Sequence, residues 1–209
     1  MADKKPKWRR RAKQRPDQVL DAALKLFAKK GYGATKVEDI AREAGLSKGS
    51  IYRYFTSKED IFEALINRAV TPFTDQAVKL TQSQAGSPEE TIRAIFLVFA
   101  ARLSNAESLS LPHIVLQEAG RFPKLARLYR DRVMDRYMSA LEATITRGIE
   151  SGQFRPVNVQ LAVCNVLGPI FAFYVSEYIY GDRRVTPAAT KEFLDSHLEI
   201  LMHGLKAAE

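Results

Sequence analysis

Apolar side chains recur every three or four positions along most of this 209-residue chain. A helix gathers residues with this spacing onto one face, whereas a half-buried strand requires strict alternation. No segment alternates over a sustained stretch between hairpin turns. The pattern therefore predicts an all-α protein.

Short helices are predicted in the first third of the chain. Pro16 suits a first helical turn, and Gly31 and Gly33 end the pattern that follows it. Thr35 and Glu38 have the spacing of a capping box, which predicts the start of a second helix. A third, very short helix is expected within residues 44–58.

Later start and stop signals are equally local. Ser57 with Asp60 predicts the cap of a fourth helix, and Pro72 predicts that this helix kinks or ends near residue 71. A polar linker precedes Ser87, Pro88 and Glu90, whose order predicts another capped helix.

Positive charge is concentrated at the N-terminus. The first 60 residues contain 16 Lys+Arg and 8 Asp+Glu, and the rest contains 16 of each, so that segment carries the whole formal net charge of +8. This asymmetry predicts a polyanionic partner, either nucleic acid or an anionic membrane surface. Residues 1–15 are predicted to be a disordered basic arm, in which Arg9, Arg10 and Arg11 extend the contact with DNA. A solubilising tail is the alternative.

The remaining bulk features favour a cytoplasmic protein. Cys164 is the single cysteine, so no internal disulfide can form. No segment near the N-terminus resembles a secretory signal. The longest apolar run, residues 161–175, is shorter than the roughly 20 residues of a membrane span, so it is expected to be a buried helix, with no membrane as partner.

Residues 44–58, AGLSKGSIYRYFTSK, predict a helix-turn-helix. Ile51 and Phe55 share a face and would anchor the short third helix. Donors on its opposite face could reach base edges in the major groove, and Arg53 could pair with guanine. The side chains and backbone expected to face outward are those of Lys48, Gly49, Ser50, Tyr52 and Arg53.

A second group of residues is expected at DNA phosphates. Thr35, Tyr54 and Lys58 lie near predicted helix ends, where phosphate contacts position a protein without specifying sequence. The alternatives are that the tyrosines are packed surface aromatics and that Lys58 is a solvated lysine of a capping turn.

The segment ATKVEDIAREAGLSKGSIYRYFTSKEDIFEAL resembles the DNA-binding domain of the tetracycline-repressor (TetR) family. The shared pattern is a Thr, an Ile-Ala, an Ala-Gly-Val-Ser in which Leu46 replaces the valine, a Tyr-x-Tyr/His-Phe and a Ser-Lys-Glu. The resemblance implies a DNA-binding domain at residues 16–66 and a helical effector-binding and dimerisation domain at residues 67–209. The DNA contacts it implies fall on Thr35, Lys48, Ser50, Tyr52, Tyr54 and Lys58.

This resemblance implies a ligand-responsive regulator. The expected protein is a repressor that binds a palindromic operator in double-stranded DNA as a homodimer. A small hydrophobic or aromatic effector of unknown identity would release it. An activator is the alternative, because the sign of regulation depends on where the operator lies relative to the promoter.

The last two long helices are expected to form the homodimer. Residues 158–180 are apolar on nearly every side, and a helix of this kind must be covered by its own domain and a partner. The predicted helix over residues 187–207 would add five apolar side chains to the interface: Phe193, Leu194, Leu198, Leu201 and Leu205.

Aromatic and isolated polar residues suggest an effector pocket, although plain core packing is the alternative for each of them. These residues are expected to turn inward. They are Phe96, Phe99, Leu103, His113, Gln117, Tyr129, Asn165, Phe171 and Tyr174.

Nothing in the sequence indicates an enzyme. His113, His197 and His203 form no metal-binding motif, and no phosphate-binding glycine loop is present. No catalytic residue, metal site or cofactor is predicted. The competing hypothesis is a non-specific nucleic-acid or membrane-surface binder that uses only the basic arm.

Overall fold

The computed structural model describes residues 7–83, 86–180 and 186–207, and these residues are helical with no β-strand among them. The all-α prediction is confirmed. The α-helices are α1 Lys7–Lys30, α2 Val37–Glu43, α3 Lys48–Tyr52, α4 Lys58–Ala69, α5 Thr71–Gln82, α6 Pro88–Leu103, α7 Ala106–Glu118, α8 Pro123–Tyr129, α9 Asp135–Glu150, α10 Val159–Tyr180 and α11 Pro187–Leu205.

The chain divides into two compact units. The first comprises residues 1–69 together with 110–129, and the second comprises residues 70–109 and 130–209. The unit that contains the predicted helix-turn-helix therefore also contains a segment from much later in the sequence.

Helix α1 begins at Lys7, well before Pro16, and Pro16 lies inside it. Residues 7–15 are therefore helical rather than disordered, and their Lys, Arg, Ala and Gln content favours a helix. Residues 1–6 lie outside the described part of the chain. The same holds for the side chains of Arg9, Arg10 and Arg11, although their backbone belongs to α1.

The cap of α2 differs from the prediction. Lys36 is the N-cap residue, and its backbone N–H donates to the Asp39 carboxylate at 3.2 Å. Thr35 cannot fill that role because its side chain is buried and its hydroxyl donates to the Gly31 carbonyl at 2.7 Å. The predicted pairing of Thr35 with Glu38 was therefore wrong by one residue.

Two other helix starts are as predicted. Ser87 Oγ accepts from the Glu90 N–H, and the Glu90 carboxylate accepts from the Ser87 N–H, which completes the capping box of α6. Helix α4 ends at Ala69 and α5 begins at Thr71, which places Pro72 in the first turn of a new helix, where its missing donor costs nothing.

A π-helical turn at Arg130–Met134 separates α8 from α9. The apolar ladder here repeats every four residues, which is longer than the 3.6-residue period of an α-helix. A wider i→i+5 turn compensates for this drift. Tyr129, Val133 and Tyr137 consequently all remain buried across the junction.

Helix α10 is apolar but not buried within the chain. Its window Val159–Ser176 has a mean hydropathy of 1.6, and only 28% of the window is buried. By length and composition this helix could cross a membrane, a test that core helices of water-soluble proteins also pass. Leu161 and Phe171 are 62% and 52% exposed, so its own chain covers this helix only in part, and the cover expected from a partner stays a prediction.

We expect Gly148→Ala to destabilise the second unit. A Cβ at this position would overlap the buried ring of Phe154, whose backbone N–H also donates to the Gly148 carbonyl at 2.9 Å. Overpacking of this kind costs about 1–3 kcal/mol. Urea unfolding at one protein concentration measures it, and Gly120→Ala is the control, because no atom lies within 4 Å of its added Cβ. Equal unfolding midpoints for the two variants would contradict the prediction.

Candidate nucleic-acid interface

The helix-turn-helix is built from α2, α3 and a tight turn. Gly45 has a φ of +66°, a left-handed conformation that favours glycine, and the Leu46 N–H donates to the Ala41 carbonyl at 2.9 Å. Ser47 caps α3, since its Oγ accepts from the Ser50 N–H at 3.2 Å. The predicted turn at Gly45 and the predicted cap at Ser47 are therefore both found in the structure.

Two apolar residues hold α3 in place. Ile51 is fully buried and Phe55 is 8% exposed. The first unit buries them with Val19, Phe27, Ile40, Phe62 and Leu65. Ile51 and Phe55 supply the core contacts of this segment, so the other side chains of the short helix can face solvent.

The residues predicted for the groove are on the surface. Tyr52 and Tyr54 are 45% and 38% exposed, and Lys48, Gly49 and Arg53 are exposed as well. Ser50 is half-buried, and its hydroxyl lies 2.9 Å from that of Ser47. The geometry suits the major groove, because a short, firmly anchored helix there presents donors to base edges.

Lys48 forms an ion pair that sequence analysis did not find. Its Nζ contacts Oε1 of Glu38 on α2, and it also lies 5.7 Å from the centre of the Tyr52 ring. The hydrogen bond between the two groups lowers the pKa of Glu38 and raises the pKa of Lys48. The sequence offered only the acidic composition of α2 as a signal, and it gave no partner for that charge.

Thr35 and Lys58 are engaged within the protein, and the phosphate contacts expected of them stay a prediction. The Lys58 ammonium donates to the carbonyls of Tyr32 and Thr35 at 2.7 and 2.9 Å and lies 4.2 Å from the centre of the Tyr32 ring. Burial lowers the pKa of Lys58. In this structure both residues hold the turn between α1 and α2, with Thr35 buried and Lys58 half-buried.

Residues 118–122 also contact this turn. Glu118 is buried and accepts from the Gly33 N–H at 3.0 Å, and the Phe122 ring stands edge-on to Tyr32 at 5.3 Å. Gly31 has a φ of +84°, and a Cβ there would lie 2.6 Å from Glu118 Oε1. The glycines predicted to end α1 therefore also permit this close approach.

The nine candidate effector residues fall in both units. His113, Gln117 and Tyr129 belong to the first unit, and the other six belong to the second. Gln117, Asn165 and Phe171 are exposed, so the expectation that they turn inward was wrong. Helix α10 is apolar all round, and its sequence pattern therefore could not indicate which side faces the core.

Four of the candidates in the second unit are buried. Phe96, Phe99 and Leu103 pack in its core, where Phe99 lies 4.9 Å from the Tyr137 ring. Tyr174 is buried too, and its hydroxyl donates to the Leu109 carbonyl at 2.6 Å. In the first unit, burial lowers the pKa of His113. Among the described residues no group of His, Cys, Asp and Glu could hold a metal ion.

An exposed apolar face runs along α10 and α11. It includes Leu161, Phe171 and Ile200, the last 71% exposed, and an open groove of about 740 Å³ lies between the two helices. The five α11 residues expected at the dimer interface are not exposed on this face. Leu194, Leu198, Leu201 and Leu205 are buried in their own unit, and Phe193 is half-buried, with its ring stacked on Phe173 at 4.3 Å.

Comparison with known proteins establishes the family. Residues 19–65 match the bacterial regulatory proteins of the tetR family, and residues 90–204 match the C-terminal domain of AefR-like transcriptional repressors. The chain belongs to the TetR family of transcriptional regulators, as the resemblance implied. It is accordingly a ligand-responsive DNA-binding regulator and not an enzyme.

Individual relatives align over most of the chain. The fatty acid metabolism regulator protein of Bacillus subtilis (strain 168) is 28% identical over 207 residues, covering 98% of each chain. The transcriptional repressor KstR2 of Rhodococcus jostii (strain RHA1) is 30% identical over 155 residues, covering 71% of this chain and 72% of its own. The structure of FadR from Bacillus subtilis in complex with stearoyl-CoA has the same fold, with a TM-score of 0.72 at 24% identity over 90% of this chain and 98% of FadR.

We expect Asp60→Asn to lower the stability of the helix-turn-helix unit at neutral pH. The Asp60 carboxylate accepts from the Thr56 N–H and hydroxyl, and its own N–H donates to Ser57 Oγ at 3.0 Å, which confirms the predicted cap of α4. These hydrogen bonds, with Thr56 first, lower the pKa of Asp60. A cap of this kind contributes about 0.5–1 kcal/mol.

The difference in stability between the wild type and Asp60→Asn should depend on pH, and its direction follows from the lowered pKa of Asp60. Because the pKa of the carboxyl is lower in the folded state, its contribution is complete above the unfolded value of about 4 and disappears as the pH falls through the folded value. Thermal unfolding from pH 7 to pH 3 should show the wild type and Asp60→Asn converging. Asp195→Asn, which alters an exposed carboxylate within α11, is the control. A difference that persisted unchanged at pH 3 would refute the assignment.

Proposed function

We propose that this regulator is a repressor that binds a palindromic operator as a homodimer and is released by a ligand with a long apolar chain. The observation that carries the proposal is the exposure of Lys48, Tyr52 and Arg53 on a helix anchored by Ile51 and Phe55. An exposed basic and aromatic surface on a short, firmly anchored helix suits base and phosphate contacts in the major groove.

The proposed DNA contacts are based mainly on four exposed side chains. Arg53 and Tyr52 are the base-contacting candidates, and Lys48 and Tyr54 are the phosphate-contacting ones. Gly49 and Ser50 allow a close approach of the backbone. Arg9, Arg10 and Arg11 extend the same contact from the start of α1. Thr35 and Lys58 support the interface through the turn that they hold.

The homodimer is proposed to form through the apolar face of α10 and α11. Exposed patches of this kind on a monomer mark interaction sites, and covering Leu161, Phe171 and Ile200 removes them from water. A two-fold dimer is required in any case to bind two half-sites about one helical turn apart, since one recognition helix reaches only one of them.

The effector is proposed to be a long-chain acyl thioester. The relative with the longest alignment described above is a fatty acid metabolism regulator, and the FadR structure holds stearoyl-CoA. The second unit of this chain offers an aromatic and aliphatic interior around Phe96, Phe99 and Leu103, which suits an acyl chain. Of the nine candidate residues, the buried ones of the second unit remain the proposed neighbourhood of the ligand: Phe96, Phe99, Leu103 and Tyr174.

Release is proposed to act through α4. The chain passes from α4 to α5 at Val70, where the helix is broken. A ligand-induced shift of α4 would change the separation of the two recognition helices, and a dimer bound to half-sites at fixed spacing would then lose affinity.

Selection of bound sequences from a random DNA pool tests the proposed function. The full-length protein should enrich a palindromic site, and stearoyl-CoA should release that site where CoA and stearate, tested separately, do not. Equal competition by random DNA would contradict a specific operator. If stearoyl-CoA failed to release the site, the proposed effector class would be wrong and the DNA-binding proposal would be unaffected.

Arg53→Ala should weaken binding to the selected operator and relax its base preference. Loss of one good base contact costs about 1–3 kcal/mol of discrimination. Fluorescence anisotropy on the operator and on single-base variants of it measures both effects. Arg93→Ala is the matched control, because Arg93 lies on α6 and pairs with Glu89. Similar losses in the two variants would argue against a base contact by Arg53.

Leu161→Glu combined with Ile200→Glu should disrupt the homodimer. A charge on each helix would lie in a contact that otherwise excludes water, so the mass in solution should fall to that of one chain, with operator affinity falling in parallel. Multi-angle light scattering measures the mass. Leu97→Glu is the matched control, because Leu97 is an equally exposed leucine on α6. If the double variant stayed dimeric, the proposed interface would be wrong.

A further inference from the structure

Helix α2 carries three carboxylates, and their partners differ in position. Asp39 pairs with Lys30 and Glu43 pairs with Lys25, and both lysines lie on α1. Glu38 pairs instead with Lys48, in the first turn of the recognition helix α3. Among the ion pairs described for α2, this one alone reaches α3.

This arrangement places a negative charge beside the surface that meets DNA. The side chains of Lys48 and Glu38 are 53% and 48% exposed, so both groups are accessible from solvent. A carboxylate there repels phosphates and occupies one of the three donors of the lysine ammonium. Glu38 should therefore weaken binding to DNA in general.

The same carboxylate also restricts where Lys48 can be. A free lysine side chain on a surface samples many rotamers, whereas this ammonium is held between Glu38 and the Tyr52 ring, 5.7 Å from the ring centre. The hydroxyls of Ser47 and Ser50, 2.9 Å apart, lie on the same first turn. The first turn of α3 is thus already ordered before any DNA is bound.

We propose that Glu38 is a positioning residue that determines DNA specificity, by holding Lys48 where its remaining donors meet the operator and by opposing phosphates at any other site. On the operator, Lys48 keeps Glu38 and donates to DNA in addition. On random DNA, Lys48 stays paired with Glu38 and neutralises no phosphate, and the carboxylate repels the phosphates that come near it. The inference rests on the proposed DNA-binding function and assigns to it a residue that acts through another.

Glu38→Gln tests this inference, with Glu43→Gln as the matched control. Both variants remove one carboxylate from α2 and one lysine ion pair, but only the first frees Lys48. Binding to the wild-type operator and to random-sequence DNA is measured over a range of salt concentrations. The operator is the site that wild-type protein enriches from a random pool.

Glu38→Gln and Glu43→Gln should differ in the specificity ratio, which is the affinity for the operator divided by the affinity for random DNA. Glu43→Gln should raise both affinities by a similar factor. Glu38→Gln should raise the affinity for random DNA, whereas on the operator the lost repulsion is offset by the lost positioning of Lys48. The specificity ratio should therefore fall by about fivefold, which corresponds to a coupling of about 1 kcal/mol. Because Lys48 can then neutralise a further phosphate, the salt dependence on random DNA should steepen by about 0.9 in slope.

A double-mutant cycle with Lys48→Gln separates positioning from simple charge removal. If Glu38 acts through Lys48, then Glu38→Gln should leave the specificity ratio unchanged in the Lys48→Gln background. Thermal unfolding should be nearly the same for all variants, since both side chains are exposed. Equal specificity ratios for Glu38→Gln and Glu43→Gln, or additive effects in the cycle, would overturn the inference.

Failure of this inference differs from failure of the proposed function. If wild-type protein enriches no site, the operator proposal itself is wrong. If the wild type enriches a site and Glu38→Gln keeps the same ratio and salt dependence, the operator stands and the role of Glu38 does not.

Discussion

The ammonium group of Lys58 holds the turn between α1 and α2, and the geometry of the helix-turn-helix depends on this contact. The carbonyls of Tyr32 and Thr35, which follow the end of α1, accept from it at 2.7 and 2.9 Å. A partly buried ammonium is costly unless its donors are used. The Tyr32 ring below it and the Glu118 carboxylate near it supply further compensation. Since α2 starts directly after this turn, the same contact helps to fix where the recognition helix emerges.

Residues far apart in sequence meet at this turn. Glu118 and Phe122 approach it because Gly31 and Gly33 lack side chains, and the first compact unit consequently contains residues 110–129. That segment joins residues of the second unit at both of its ends, at Leu109 and at Arg130.

The interface with DNA combines positive and negative charges. The excess basic charge of the first 60 residues attracts DNA without regard to sequence. The carboxylates of α2 are paired with lysines, and this pairing lowers the pKa of Glu38, Asp39 and Glu43 alike, so all three stay ionised at neutral pH. In the proposed interface, the excess basic residues attract DNA, and Glu38 on the same unit orients Lys48. The apolar face of α10 and α11 is the surface proposed for contact with a second copy of the chain.

Much of this protein follows from local features of the sequence. Helical spacing, the caps at Ser47, Ser57 and Ser87, and the break before Pro72 depend on residues within four positions of one another, and all are found in the structure. The anchoring of α3 by Ile51 and Phe55 is likewise a local periodicity, so the exposure of Lys48, Tyr52 and Arg53 could be predicted. The family pattern added the DNA-binding function.

The tertiary structure decided which side chains point inward wherever the sequence pattern was ambiguous. Thr35 and Lys58 look like surface donors in sequence, but the carbonyls they satisfy belong to a turn that forms only when α1, α2 and α4 pack together. Helix α10 is apolar on every side, so only packing could separate its core face from the exposed face of Leu161 and Phe171. The ion pair of Glu38 with Lys48 joins two helices across a turn, and no periodicity specifies it. Local patterns determine helices and their ends, whereas contacts between helices are determined by which surfaces remain to be covered.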